Sequence, residues 1–82
     1  MAMTAKQRNA LPDKAFVYPK QRRYAVPTKK QAKKAGISEE QRLRLHRNAL
    51  SRAAQKGTSG TYSAVAKKVE ARSGGKVKVG KK

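Results

Sequence analysis

Apolar positions in this chain follow two rhythms. Between residues 15 and 27 they fall in two short β-favouring runs, AFVY and RYAVP, separated by PKQR. Pro19 presets the dihedral that a turn needs at its second position, so the stretch predicts a small antiparallel β-hairpin over 15–27. Phe16 and Tyr18 would then share one face, with Tyr24 and Val26 opposite them. A two-stranded hairpin is marginal by itself in water, so it must pack on something.

From residue 28 the rhythm is helical. TKKQAKKAG predicts a short basic helix over 29–35, with Thr28 as cap and Gly36 as stop. The next segment, ISEEQRLRLHRNALSRAAQKG, predicts a long helix over 39–56. Ser38 and Gln41 form a capping box there, Glu39 and Glu40 sit in the first turn, and Gly57 is the stop. At 100° per residue, Leu43, His46, Leu50, Ala53 and Ala54 make one stripe. Arg44, Arg52 and Lys56 fall outside it. Leu45 lies about 200° from Leu43 and needs a second contact, on the hairpin or on a partner. Thr58 caps a last helix over 59–73, where Tyr62, Val65, Ala66 and Val69 keep the i, i+3, i+4, i+7 spacing. The short joint KGT makes the two long helices a helical hairpin. After Gly74–Gly75, KVKVG alternates Lys with Val, which suits a strand added to another sheet or a tail that orders on a partner.

The expected fold class is therefore α+β, mainly α. A polar arm (1–10) precedes a small domain (11–73), and a basic tail (74–82) follows. Asp13, in LPDK, is read as a turn or N-cap residue.

Length changes the energetic picture. Eighty-two residues bury a thin core, and small scaffolds are usually stapled by a disulfide, a metal or a partner. Cysteine is absent, so disulfides and thiolate metal sites are excluded. A partner is the staple left over. Charge indicates its kind. Lys and Arg number 22 against four acids, a formal net charge of +18. Self-repulsion at that density weakens a compact state unless counter-charge is present, and nucleic acid is the usual source. An acidic protein or membrane surface, or charge that merely solubilises, is the alternative.

Candidate chemistry is sparse. His46 is the one histidine, it lies on the apolar stripe, and it reads as a packing or hydrogen-bonding residue with no companion for a metal site. The acids form no catalytic pair, and neither glycine cluster matches a phosphate-binding loop. No catalytic residue, metal, cofactor or small-molecule substrate is implied. No run is long enough to span a membrane, and the first residues lack the apolar core of a signal peptide. The expectation is a soluble protein that acts in the cytoplasm or in something assembled there.

The positive charges do form a pattern. YPKQRRYAVPTKKQAKKAG, residues 18–36, holds seven Lys or Arg and no acid. Lys20, Arg22, Arg23, Lys29, Lys30, Lys33 and Lys34 are read as a polyanion surface, together with Lys67, Lys68, Arg72 and the tail residues Lys76, Lys78, Lys81 and Lys82. Six to ten phosphate contacts would cost about 10³–10⁵ in affinity between 50 and 200 mM salt. Backbone contact needs only charge within reach. A helix-turn-helix, with Thr58, Ser59, Thr61 and Ser63 as base readers, stands behind a simple packing hairpin with a basic outer face. Tyr18 and Tyr24 are read as hairpin packing residues ahead of base-stacking platforms. Leu45, Val77 and Val79 are the candidate protein-contact positions.

LPDKAFVYPKQRRYAVP followed by HRNALSRAAQKGT resembles a family of small domains of unassigned function, common in phages of actinobacteria and in their hosts. The likeness rests on Leu11-Pro12-Asp13 with Ala15-Phe16, then Tyr24 to Pro27. It continues through Arg47-Asn48-Ala49-Leu50 to Ala54-Gln55, the Gly57-Thr58 joint and a final basic helix. It covers roughly residues 10–72, broken at 28–45, which is longer and more basic here than the usual link; Ser59-Gly60 is also less acidic than the pattern. The resemblance implies a phage origin and a non-enzymatic role, and brings no catalytic residues. In that setting the first expectation is a minor capsid or virion-associated protein, assembled in the host cytoplasm, touching capsid protein and the nucleic-acid backbone. DNA is favoured over RNA, and no membrane partner is implied. The alternatives are a free nucleic-acid-binding regulator and a small inhibitor of an acidic host protein.

Overall fold

The computed structural model describes residues 3–77 and Val79. Its first element is absent from the sequence reading: a helix α1, Ala5–Ala10, in place of a polar arm. Thr4 and Gln7 cap it reciprocally, side chain to backbone in both directions. Six residues are too few for a helix to persist alone in water, and tertiary contacts hold this one. The Gln7 amide donates to the Gly36 carbonyl at 2.9 Å and accepts from Gln41 Nε2 at 3.2 Å. Met3 packs against the core.

A 3-10 turn, Asp13–Ala15, leads into strand β1, Phe16–Tyr18, which pairs antiparallel with β2, Arg23–Ala25. The hairpin falls where expected. Its register is one residue away from the expected one, with Phe16 opposite Ala25 and Tyr18 opposite Arg23. Arg22 (φ 50°) and Tyr24 (φ 60°) occupy the left-handed region, which breaks the simple alternation of faces on which the expectation rested. The two tyrosines still meet, edge to face, with ring centroids 5.8 Å apart.

Three helices follow: α2, Lys29–Lys34, α3, Glu39–Lys56, and α4, Ser59–Ser73. Thr28 with Gln31 and Ser38 with Gln41 form full capping boxes, and the Thr58 side chain accepts from the Thr61 N–H. Gly36 and Gly74 adopt positive φ at the ends of α2 and α4, which only glycine does without strain.

Helix α3 lies between two apolar clusters. Leu45 faces the first, with Leu11, Ala15, Phe16, Ala32 and Ile37. Ala49, Leu50 and Ala53 face the second, with Val26, Val65, Val69 and Val77. Buried α3 positions therefore run Arg42, Leu45, His46, Ala49, Leu50, Ala53. This is the i, i+3, i+4 stripe rotated from the expected one. Leu43 is only half-buried and Ala54 is exposed. The stripe on α4 is as expected, with Val65 and Val69 fully buried and Tyr62 and Ala66 partly so. Burying each valine is worth roughly 1.5–3 kcal/mol.

Gly57 ends α3 in an extended conformation, so its role is close approach. A Cβ there would come within 2.8 Å of both the Ala53 carbonyl oxygen and the Thr61 methyl. Gly57→Ala should cost about 1–3 kcal/mol in chemical denaturation through overpacking of the α3–α4 joint. An unchanged midpoint would show that the joint has room to spare.

Candidate nucleic-acid interface

Four of the expected phosphate-contacting residues come from a single element. Ala32 of α2 is buried and Ala35 after it is nearly so, and this turns Lys29, Lys30, Lys33 and Lys34 to the outside, all exposed. No acid lies in the first turn of α2 to relieve them. Lys20 in the hairpin turn and Arg23 on β2 are exposed too, as are Lys67 and Lys68 on α4. Eight of the twelve residues are thus exposed without an ion pair among the described residues, and Lys76 is exposed but bridged to Glu39.

Of the remaining four, two are bonded into the fold, one is shared with an acid and one is not described. Arg22 is structural. Its guanidinium pairs with Asp13 at 2.7 Å, donates to the Arg8 and Leu11 carbonyls, and lies 4.5 Å from the Phe16 ring centroid. Asp13 opens the 3-10 turn, one of the two roles expected of it, and its carboxylate serves as the counter-ion of Arg22. Arg72 turns inward and donates to the Val26 carbonyl at 3.1 Å, and burial lowers its proton affinity. Lys76 reaches Glu39 at 3.3 Å. Lys78 lies outside the described residues.

Two of the protein-contact positions, Leu45 and Val77, are corrected in the same way. Each is about 5% exposed, and they belong to the first and second clusters respectively. The missing contact for Leu45 is the chain's own N-terminal segment and hairpin. Val79 packs partly on the second cluster.

Arg42, which the sequence reading passed over, is the centre of the polar interior. It is only 3% exposed, forks onto both carboxylate oxygens of Glu39 at 2.8 and 2.9 Å, and donates to the Arg72 carbonyl at 2.6 Å. Hydrogen bonding from Arg42 lowers the Glu39 pKa to about 2; burial works against this, and Lys76 adds to it. Beside them His46 is fully buried, as its place on the helix suggested. Its Nε2–H donates to the Pro27 carbonyl at 2.9 Å, while Nδ1 has no partner. Burial lowers the His46 pKa, the Pro27 bond opposes this, Arg42 and Arg72 lower it further, and Glu39 raises it slightly.

These shifts make the fold acid-sensitive. An unfolded histidine takes up a proton near pH 6.5 and folded His46 does so only at lower pH, so stability from this residue is full above about 6.5 and is lost as pH falls. Glu39 then adds a second loss as pH falls from the ordinary carboxylate range toward 2. Urea midpoints should therefore decline between pH 7.5 and 5, and His46→Gln should flatten that decline. An equally steep decline in the variant would place the titrating group elsewhere.

The pattern of charge also creates a site that sequence reasoning did not assemble. Between β2 and α3 opens a cleft of about 910 Å³. Arg8, Arg23, Arg52 and Lys56 line it, with the amides of Gln21, Asn48 and Gln55; no acid does. Tyr24 stands in one wall, and Leu45, Ala25 and Ala49 supply apolar surface. On α3 the signal was present: Asn48, Arg52, Gln55 and Lys56 recur at helical spacing beside the buried stripe. No family model matches the chain, and neither do the curated proteins or the solved structures searched.

Proposed function

We propose that this protein is a non-enzymatic binder of the nucleic-acid backbone. The observation that carries the reading is the separation of roles among its charges. Arg22, Arg42 and Arg72 are bonded into the fold, Asp13 and Glu39 are occupied by them, and the lysines of α2 stay exposed with no acid beside them on their helix. Charge kept in solvent at that density, at a cost in self-repulsion, suits phosphate. The family resemblance supports a virion setting, with the protein as a minor capsid or virion-associated component and DNA as the partner. Exposed lysines on several elements favour contacts that follow the backbone over a single base-reading helix.

Fluorescence anisotropy of a labelled random-sequence duplex tests the binding reading. Binding that tightens as salt is lowered, and that scrambled competitors displace equally, is the expected result. No binding at roughly 50 mM salt would end it. Mass spectrometry of purified particles tests the virion setting, which absence of the protein would remove.

A further inference from the structure

We infer that the cleft between β2 and α3 is a binding site for single-stranded nucleic acid, distinct in its ligand from the lysine face of α2. The inference rests on the nucleic-acid reading and gives it a second site.

Three independent features converge on this cleft. Its charge has one sign: Arg8, Arg23, Arg52 and Lys56 reach it from α1, β2 and α3, and no carboxylate lines it. Its polar groups suit a base edge. Gln21, Asn48 and Gln55 each present a donor and an acceptor; phosphate can take up only the donor, whereas the edge of an unpaired base uses both. Finally, the backbone is strained at the wall. Arg22 and Tyr24 are the only described non-glycine residues with positive φ, and both line this cleft. Such residues persist only where the surrounding structure holds them, and they cluster at ligand sites. Here Arg22 is held by Asp13, the Phe16 ring and two carbonyls.

Shape decides between ligands. A duplex is stiff over about 50 nm and keeps its bases stacked and paired, whereas a single strand bends into a notch and exposes its base faces and edges. Tyr24, partly buried against Tyr18 and the second cluster, is the tyrosine in the wall, and stacking on a base is the role an aromatic plays in such a site. The cleft, about 910 Å³ and open along one side, is the size of a site for a short stretch of strand.

The test uses the full chain with labelled oligo(dT) and a random duplex, each titrated over a salt series. Arg52→Ala with Lys56→Ala should weaken oligo(dT) binding by tenfold or more and reduce its log–log salt slope by about 1.4, at roughly 0.7 per lost phosphate contact. Duplex affinity should change less than about threefold. Asn48→Ala with Gln55→Ala should weaken oligo(dT) binding by roughly threefold to tenfold with the slope unchanged, an effect that charge alone does not produce. All four residues are exposed on α3, and matched circular dichroism melts confirm that the variants fold. Equal losses for both nucleic acids in the charge variant, or no loss in the amide variant, overturn the inference and leave the backbone-binding reading intact. If neither nucleic acid binds the unaltered protein, that reading itself fails.

Discussion

Affinity for a random-sequence duplex should fall steeply when salt rises from 50 to 200 mM, by about 10² if the four α2 lysines alone meet phosphate and by about 10⁴ if all eight exposed residues do. Each neutralised phosphate contributes about 0.9 to the slope of log K against log salt, so the two limits are slopes near −3.6 and −7. The upper limit lies within the range expected from sequence. The lower limit falls below it, because Arg22 and Arg72 are committed to the fold and Lys76 is shared with Glu39. Replacing Lys29, Lys30, Lys33 and Lys34 with glutamine tests the assignment directly. Glutamine keeps the helix propensity and removes only charge. The quadruple variant should lose about 3.6 of the slope. A slope that stays the same would mean that α2 does not face the duplex.

Arg42→Met should lower the melting temperature by roughly 10–20 °C, equivalent to about 2–3 kcal/mol for a domain of this size. The methionine fills the volume of the arginine stem but leaves the part-buried Arg72 carbonyl, bonded at 2.6 Å, without this donor. Arg42→Lys should fall between the two, since an ammonium cannot fork across both oxygens of Glu39. A second readout separates this from general loosening. Arg42 is one of the two cations that lower the His46 pKa, so the His46 ring should titrate at a higher pH in Arg42→Met. A melt within about 2 °C of the unaltered protein would show that the interior tolerates the loss.

Much of the architecture is legible in the chain because it is written in caps. Thr28 and Ser38 each stand three residues before a glutamine, and the helices begin there. The same Thr-x-x-Gln pattern at Thr4 and Gln7 was as readable, but α1 buries no residue, so its apolar periodicity is silent. Arg42 was hidden for a different reason. An arginine on a helix is ordinarily solvated, so the buried stripe was centred on Leu43. Only the tertiary approach of the α4 carbonyl end makes a charged residue welcome inside. The lysine face of α2 could be read from sequence because nothing else competes for those side chains. The cleft could not, since it joins Arg8, Arg23 and Arg52 across 44 residues of chain. The hairpin register was lost with the left-handed Tyr24, which no propensity signals.

The burial of Val77 bears on how the last basic residues can be investigated. A chain cut after Gly75 loses a buried side chain of the cluster that holds Val65 and Val69, along with the Lys76 bridge to Glu39. Weaker nucleic-acid binding by such a truncated protein would report partial unfolding as readily as missing charge. The terminal lysines have to be neutralised one at a time, with the valines left in place.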